Sequence, residues 1–130
     1  KFYNLSYIYY QNALKKYDLS DYEIILFSDE PKKANMILKN IEILNDIHII
    51  FANEICKNLY EEFLLMSYCD VIIGANSTYS LWASYINEIY ELNKCSSYIF
   101  PKIWFTESGP TYDIYDFIPK SDKYFMEDVT

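Results

Sequence analysis

Hydrophobic and polar positions alternate along the chain with periods that predict helices and strands in succession. Between Tyr3 and Tyr17 the apolar residues recur every three or four positions, which is typical of an amphipathic helix. Residues 22–27 then form a β-rich apolar run that ends in polar residues and Pro31. This run predicts a strand, and a proline at that point is typical of the first turn of a helix, which we expect at 32–39.

Further apolar runs continue the same succession. They predict strands at 47–51, 70–75 and 97–100, and helices at 58–68 and from Asn76 to Ile89. The run at 70–75 is apolar without alternation, as expected for a strand buried on both faces of a parallel sheet. Because parallel strands need crossover connections, the succession predicts an α/β fold: a Rossmann-like parallel sheet with helices on both faces. The tail beyond Trp104 is aromatic and predicts no regular element.

The composition is that of one folded domain spanning residues 1–130. Of these residues 52% are hydrophobic and 19% are aromatic, which is enough for a single core and argues against disorder. The net charge is −8, from 19 acidic residues against 11 lysines without any arginine, so no basic stripe can form and nucleic acid is not expected as a partner. The lack of arginine is also unusual for an enzyme that holds a diphosphate unaided, because guanidinium groups are its usual ligands.

The cysteines and the hydropathy bear on the cellular setting. Cys56, Cys69 and Cys95 are too few and too widely spaced for a zinc knuckle, and their odd number argues against a disulfide framework, so no metal is expected. Reduced thiols predict a cytoplasmic protein. No apolar run approaches the roughly 18 residues of a membrane span, so any association with a membrane is expected to be peripheral. The chain begins at Lys1 rather than at methionine, which fits a piece cut from a longer polypeptide, although trimming would give the same start.

Polar side chains that follow predicted strands are the first candidates for a binding site. Ligands of open α/β sheets bind outside the carboxyl ends of the strands, and Ser28 and Asp29 stand at the end of the strand at 22–27. Serine and aspartate are also preferred caps of helices. Capping of the next helix therefore explains these two residues as well as ligand binding does.

A second candidate follows the strand at 70–75. Asn76, Ser77 and Thr78 open a helix, and backbone N–H groups at a helix N-terminus can hold a phosphate together with neighbouring hydroxyls. Such an anion site needs no arginine. Capping by Asn76 or Ser77 is the alternative, and the two interpretations are compatible because a capped helix still presents free N–H groups.

Four further polar residues are less specific. Glu61 and Glu62 lie in the helix at 58–68; a carboxylate can accept paired hydrogen bonds from N1 and N2 of guanine, but a solvated helix face explains an acidic pair too. His48 is a lone histidine in an apolar run and predicts a core residue rather than a catalytic base or a metal ligand. Lys102 follows a strand and predicts a surface lysine, with balancing of an anion as the alternative.

Five segments stand in one order and spacing along roughly residues 7–106. They are Tyr9–Leu14, Ile25–Asp29, Glu62–Cys69, Ala75–Ala83 and Phe100–Phe105. Together they resemble consecutive signatures of glycosyltransferase family 11, the α-1,2-fucosyltransferases. The combination is much more specific than any single segment.

The resemblance implies the C-terminal, donor-binding half of a GT-B type enzyme with two Rossmann-like domains. Such an enzyme transfers fucose with inversion from GDP-fucose to the 2-hydroxyl of a galactose-containing glycan and needs no metal or other cofactor. By motif position, the resemblance implies that Glu62 reads guanine, that Ser77 and Thr78 hold the diphosphate, and that Ser28 and Asp29 line the nucleotide pocket. Asn76 belongs to the same helix start.

The sequence also departs from the pattern of that family. The His-x-Arg-x-Gly-Asp-type loop, which supplies an arginine to the leaving diphosphate, has no counterpart in these 130 residues and would belong to an N-terminal half. Two other interpretations stay open on the sequence: a flavodoxin-like or receiver-like binding module built on Asp29, Glu30 and Lys102, and a degenerate transferase fragment without catalysis. No residue can be assigned as a general base.

Overall fold

The structure is a computed structural model that describes residues 2–92, 96–110 and 113–130. Within these residues the helices are α1 (Tyr7–Leu14), α2 (Pro31–Leu38), α3 (Ala52–Ile55), α4 (Leu59–Ser67) and α5 (Thr78–Ile89). The strands are β1 (Ile24–Leu26), β2 (Ile49–Phe51), β3 (Val71–Ile73), β4 (Ser97–Pro101) and β5 (Tyr124–Glu127). Short 3₁₀ turns lie at Leu19–Asp21, Glu42–Leu44 and Ile114–Asp116.

All strand pairs among the described residues are parallel. β1 pairs with β2, with Ile24 opposite Ile49, and β4 lies between β3 and β5 in a second sheet, with Ile99 opposite Phe125. The predicted α/β class, with parallel strands and interleaved helices, is confirmed and is consistent with a Rossmann-like fold. Hydrogen bonding divides the strands into a two-stranded and a three-stranded sheet instead of one continuous sheet.

The two sheets are joined by side-chain packing rather than by a hydrogen-bonded ladder. Ile24, Ile49 and Ile73, one from each of β1, β2 and β3, pack against the same buried cluster. That cluster consists of Leu14, Ile41 and Leu44. The end of α1 and the turn before β2 therefore cover the junction between the sheets.

The densest part of the core surrounds β4. Tyr98, Ile99, Phe100 and Pro101 are fully buried, as expected for the central strand of a sheet. Phe100 packs in one cluster with residues of α4 and α5, whereas Ile99 packs in another with Tyr9 of α1. Successive residues of β4 thus point to opposite faces and anchor different helices.

Three sequence-based expectations need correction. The first helix is shorter than 3–17 because Ser6 caps it, its Oγ accepting from the Ile8 N–H at 3.3 Å, and the Tyr3 N–H instead donates to the Trp104 carbonyl at 2.8 Å. The tail beyond Trp104 contains β5, which pairs with β4 although its own residues carry little periodicity. His48 is exposed rather than in the core, because the strand begins only at Ile49.

Candidate functional site

Helices α4 and α5 run side by side in the same direction. Near their starts, the Tyr79 hydroxyl donates to the Leu59 carbonyl at 3.1 Å, and near their ends the Asn87 side-chain amide donates to the Ser67 carbonyl at 2.6 Å. Both bonds join residues twenty positions apart, so the helices are parallel and in register. Their N-termini therefore lie together, and their dipoles add positive potential at the same place.

Tyr79 stands between the two helix starts. Its ring meets the ring of Phe63 edge to face, with a centroid separation of 5.4 Å. The pKa of Tyr79 is raised, first by burial and then by the negative charge of Glu62. The Glu62 carboxylate is thus close enough to the Tyr79 hydroxyl for its negative charge to act on that group.

Glu62 is buried, with 9% of its surface exposed, although it carries a carboxylate. That carboxylate accepts no hydrogen bond from any residue that the structure describes. Every buried side-chain oxygen or nitrogen within the described residues has a hydrogen-bonding partner, so the Glu62 carboxylate oxygens, which have none, are in contact with solvent. Glu62 thus keeps its hydrogen-bonding capacity open at the edge of the α4–α5 pair.

The neighbouring Glu61 has a different environment. Its Oε2 accepts from the Lys57 N–H at 2.8 Å, and its own N–H donates to the Asn58 side chain at 2.9 Å. These two bonds close the N-terminus of α4 in the manner of a capping box. The two glutamates of the acidic pair therefore differ: Glu61 takes part in capping α4, whereas Glu62 forms no capping bond.

Ser77 and Thr78 form the start of α5. Ser77 is the N-cap: its Oγ accepts from the Tyr79 N–H at 3.2 Å, and its N–H donates to the Ala75 carbonyl at 2.8 Å. Thr78, the first helical residue, is exposed, and its hydroxyl forms no hydrogen bond with the residues described by the structure. The capping interpretation thus holds for Ser77, while Thr78 is open to a ligand.

The Asn76 side chain anchors the loop that follows β3 through two hydrogen bonds. Its Nδ2 donates to the Tyr3 carbonyl at 2.7 Å and to the Trp104 carbonyl at 3.0 Å. The segment before α1 and the loop after β4 are thereby tied to the start of α5. Both amide hydrogens of Asn76 are used in this way, so its donors are engaged by the protein itself.

Ser28 and Asp29 lie at the end of β1. The Ser28 Oγ accepts from the Glu30 N–H at 3.0 Å, which closes a tight turn ahead of α2, and Asp29 is exposed. Phe27, immediately before them, packs against the cluster that also contains Met66 of α4 and Leu81 of α5. No hydrogen bond or ion pair within the described residues joins Ser28 or Asp29 to Glu62, Ser77 or Thr78.

Two concave regions lie in the part of the chain that the structure describes, and neither is lined by Ser28, Asp29, Glu62, Ser77 or Thr78. An open groove of about 530 Å³ is bounded by the start of α2 and the residues after β2; it is lined by Glu30, Pro31, Lys32, Lys33, Asn35, Phe51, Asn53 and Glu54. A smaller cavity of about 260 Å³, rimmed by aromatic rings, adjoins Lys102 at the end of β4. The sequence analysis did not identify the groove residues Phe51 and Asn53, although Phe51 ends β2 and Asn53 follows it, much as Ser28 and Asp29 follow β1.

The described residues offer no cluster of three His, Cys, Asp or Glu side chains that could hold a metal ion. Over the same residues, no helix has the length and apolar character needed to cross a membrane. Lys102 is exposed and ion-paired with Asp128 at 2.9 Å, as expected for a surface lysine. No protein-family model, curated protein or solved structure matches the chain.

Proposed function

We propose that this chain is the GDP-fucose-binding half of an inverting galactoside 2-α-L-fucosyltransferase. The observation that supports the proposal best is Glu62, a largely buried residue whose carboxylate reaches solvent, has no hydrogen-bonding partner among the described residues and acts electrostatically on the Tyr79 hydroxyl. A carboxylate and a helix N-terminus together would supply a base-reading group and an anion site. The resemblance of five sequence segments to the α-1,2-fucosyltransferases supplies the identity of the nucleotide and the sugar.

Glu62 has the chemistry needed to read guanine. Guanine presents N1–H and N2–H as neighbouring donors, and one carboxylate can accept from both, whereas adenine offers no such pair. Hydrogen bonds to a charged group are worth about 1.5–3 kcal/mol, more than those between neutral groups. A partly enclosed, unpaired carboxylate therefore favours a guanine nucleotide over an adenine nucleotide.

The start of α5 has the chemistry needed to hold a diphosphate without arginine. The Thr78 hydroxyl is free to donate to a phosphate oxygen, and the positive ends of α4 and α5 favour negative charge at this place. During inverting transfer the leaving diphosphate gains charge, which preorganised donors of this kind stabilise. In this proposal Ser28 and Asp29 line the nucleotide pocket, and the galactose-containing acceptor is bound mainly by the N-terminal half.

Titration calorimetry with GDP and ADP tests the nucleotide specificity. We expect GDP to bind at least tenfold more tightly than ADP, and the Glu62→Gln variant to lose most of this difference because glutamine presents one acceptor and one donor group. Tenfold corresponds to about 1.4 kcal/mol. Glu61→Gln is the matched control, since it changes the same charge next to Glu62 but should leave the guanine preference intact.

Equal affinities of the wild-type chain for GDP and ADP would refute guanine recognition. An equal loss in Glu61→Gln and Glu62→Gln would assign the effect to net charge instead. Transfer is assayed separately, by release of GDP from GDP-fucose in the presence of a galactoside. Binding without transfer would support the non-catalytic fragment.

The receiver-like alternative has weaker support. Such a module needs Lys102 close to the acidic residues after β1, but Lys102 pairs with Asp128, and Glu30 pairs with Lys33 at 3.4 Å. Within the part of the chain that is described, two of the three residues expected to form an acidic phosphorylation pocket, Glu30 and Lys102, thus have other partners. Labelling with a small phosphodonor would test this alternative directly.

A further inference from the structure

The outer surfaces of α4 and α5 carry two apolar stripes. The first stripe consists of Tyr60 and Leu64 of α4 and of Tyr68, the C-cap of that helix, spaced four residues apart; the second contains Trp82 and Ile89 of α5, two turns apart. All five side chains are exposed, with Tyr60 at 70% and Trp82 at 57%. Apolar residues on a helix surface normally face the core, so these two stripes require an explanation.

The two stripes lie on the same side of the helix pair. On α4 the stripe lies opposite the buried residues Glu62 and Met66, and on α5 it lies opposite the buried Ser80 and Ser84. Because the helices are parallel, packed side by side and seated on the same core, their flanks away from the core point in the same direction. The helices thus present a single apolar surface, which we call the α4–α5 face.

The size of this face is that of an interface. Three of its side chains are aromatic and more than half exposed, and with the aliphatic ones they offer on the order of 600 Å². That is the upper end for the largest apolar patch on a monomer, and it approaches the about 800 Å² per partner that a standard stable interface buries. Exposed Tyr and Trp side chains are also typical of interface centres.

The charges of α4 and α5 indicate which kind of partner can bind the α4–α5 face. Neither helix contains a lysine, and their three glutamates, Glu61, Glu62 and Glu88, lie outside the stripes. In a chain with a net charge of −8, such helices repel an anionic membrane surface. The stripes themselves are uncharged, so one α4–α5 face can cover another without burying a charge.

We propose that the α4–α5 face is the interface of a homodimer. A two-fold axis lying in the plane of the face sets each helix pair against its copy, which gives an isologous contact in a four-helix arrangement. Aromatic side chains fill the centre, and the hydroxyls of Tyr60 and Tyr68 reach the polar rim. This dimer leaves the carboxylate of Glu62 on the other side of α4.

Sedimentation equilibrium over a range of chain concentrations tests the dimer. We expect the wild-type chain to be dimeric at about 10 μM, and the single variants Tyr60→Asp and Ile89→Lys to weaken association at least tenfold. Both substitutions suit their helix positions, since an acidic residue is favourable at an N-terminus and a basic one at a C-terminus. Circular dichroism should therefore show both variants folded.

Met36→Asp is the matched control, because Met36 is 69% exposed on α2, away from the face. It should leave the dimer intact. A wild-type chain that stays monomeric at 100 μM would overturn the proposal, as would face variants that dimerise like the wild type. Flotation of a monomeric wild-type chain with neutral phosphatidylcholine vesicles would assign the face to lipid and equally overturn it.

Discussion

The Tyr79 hydroxyl donates to the Leu59 carbonyl at 3.1 Å and so links the first turns of two parallel helices. Leu59 is the first residue of α4, so its carbonyl lies at the N-terminal end of the helix pair. The same bond holds the Tyr79 ring against Phe63 and close to Glu62. One side chain therefore fixes the spacing of the two helix starts on which the proposed nucleotide site depends.

Replacing Tyr79 by phenylalanine should separate the hydrogen bond from the ring packing. The variant keeps the contact with Phe63 and loses only the bond to Leu59, so we expect a loss of about 1 kcal/mol in the free energy of unfolding. Urea denaturation followed by circular dichroism measures it. Tyr60→Phe is the control, because the Tyr60 hydroxyl forms no hydrogen bond within the described residues; its effect should stay within about 0.5 kcal/mol.

Asn87 makes the corresponding link at the other end of the helix pair. Its amide donates to the carbonyls of Ser67 and Cys69, and its Oδ1 accepts from the Tyr98 hydroxyl. Asn87 is fully buried, so Asn87→Ala removes the donor that two carbonyls share and the acceptor of the Tyr98 hydroxyl. We expect a loss of about 3 kcal/mol or more in the free energy of unfolding, measured in the same way.

The control for this variant is Asn53→Ala, which removes an exposed asparagine on the short helix α3. Its effect should remain within about 0.5 kcal/mol. A loss below about 1 kcal/mol for Asn87→Ala would contradict the buried network. Such a result would mean that water enters and replaces the lost bonds.

The order of helices and strands up to β4 could be predicted from local patterns. Apolar periodicity is a property of neighbouring residues, so α2, α4, α5 and the four strands appear within a few residues of their predicted places. β5 could not be predicted, because its four residues become a strand only through hydrogen bonds to β4, about 26 residues earlier in the chain. The pairing between strands is likewise absent from any local pattern.

Prediction of the candidate site from the sequence is limited in the same way. The helix start at Ser77 could be predicted from its capping residue, whereas the assignment of Glu62 to the site depends on the resemblance. The sequence does not distinguish Glu61 from Glu62, since burial of one and capping by the other depend on how α4 packs on α5. Nor does it indicate that the Asn76 amide is engaged by the carbonyls of Tyr3 and Trp104.

Gly74 gives a prediction about packing beneath the site. A Cβ at this position would lie less than 3.0 Å from three ring atoms of the fully buried Phe100. None of the described glycines has a positive φ, so the requirement is steric rather than conformational. We expect Gly74→Ala to lower the free energy of unfolding by about 1–3 kcal/mol, as overpacking of a core does.

A double variant distinguishes this explanation from a backbone effect. Phe100→Leu removes ring atoms from the place that the new methyl group needs, so Gly74→Ala should cost less in the Phe100→Leu background than in the wild type. Unfolding of all four chains in urea gives the coupling free energy. Additive effects would contradict the steric explanation, because independent sites do not couple.

Cys69 predicts how stability depends on alkaline pH. Burial, and secondarily the charge of Asp70, raises the pKa of its thiol from 9.0 to about 11 in the folded chain. Between these two values the unfolded chain loses the proton while the folded chain keeps it, so the stabilisation present below pH 9 is lost as the pH rises through 11. Two pKa units correspond to at most about 3 kcal/mol, and partial exposure lowers the effect.

Urea unfolding at pH 8, 9, 10 and 11 should therefore show a smaller decline in the free energy of unfolding for Cys69→Ala than for the wild type, and Cys56→Ala is the matched control. An unchanged decline in Cys69→Ala would assign the loss to the tyrosines, whose buried members also have raised pKa values.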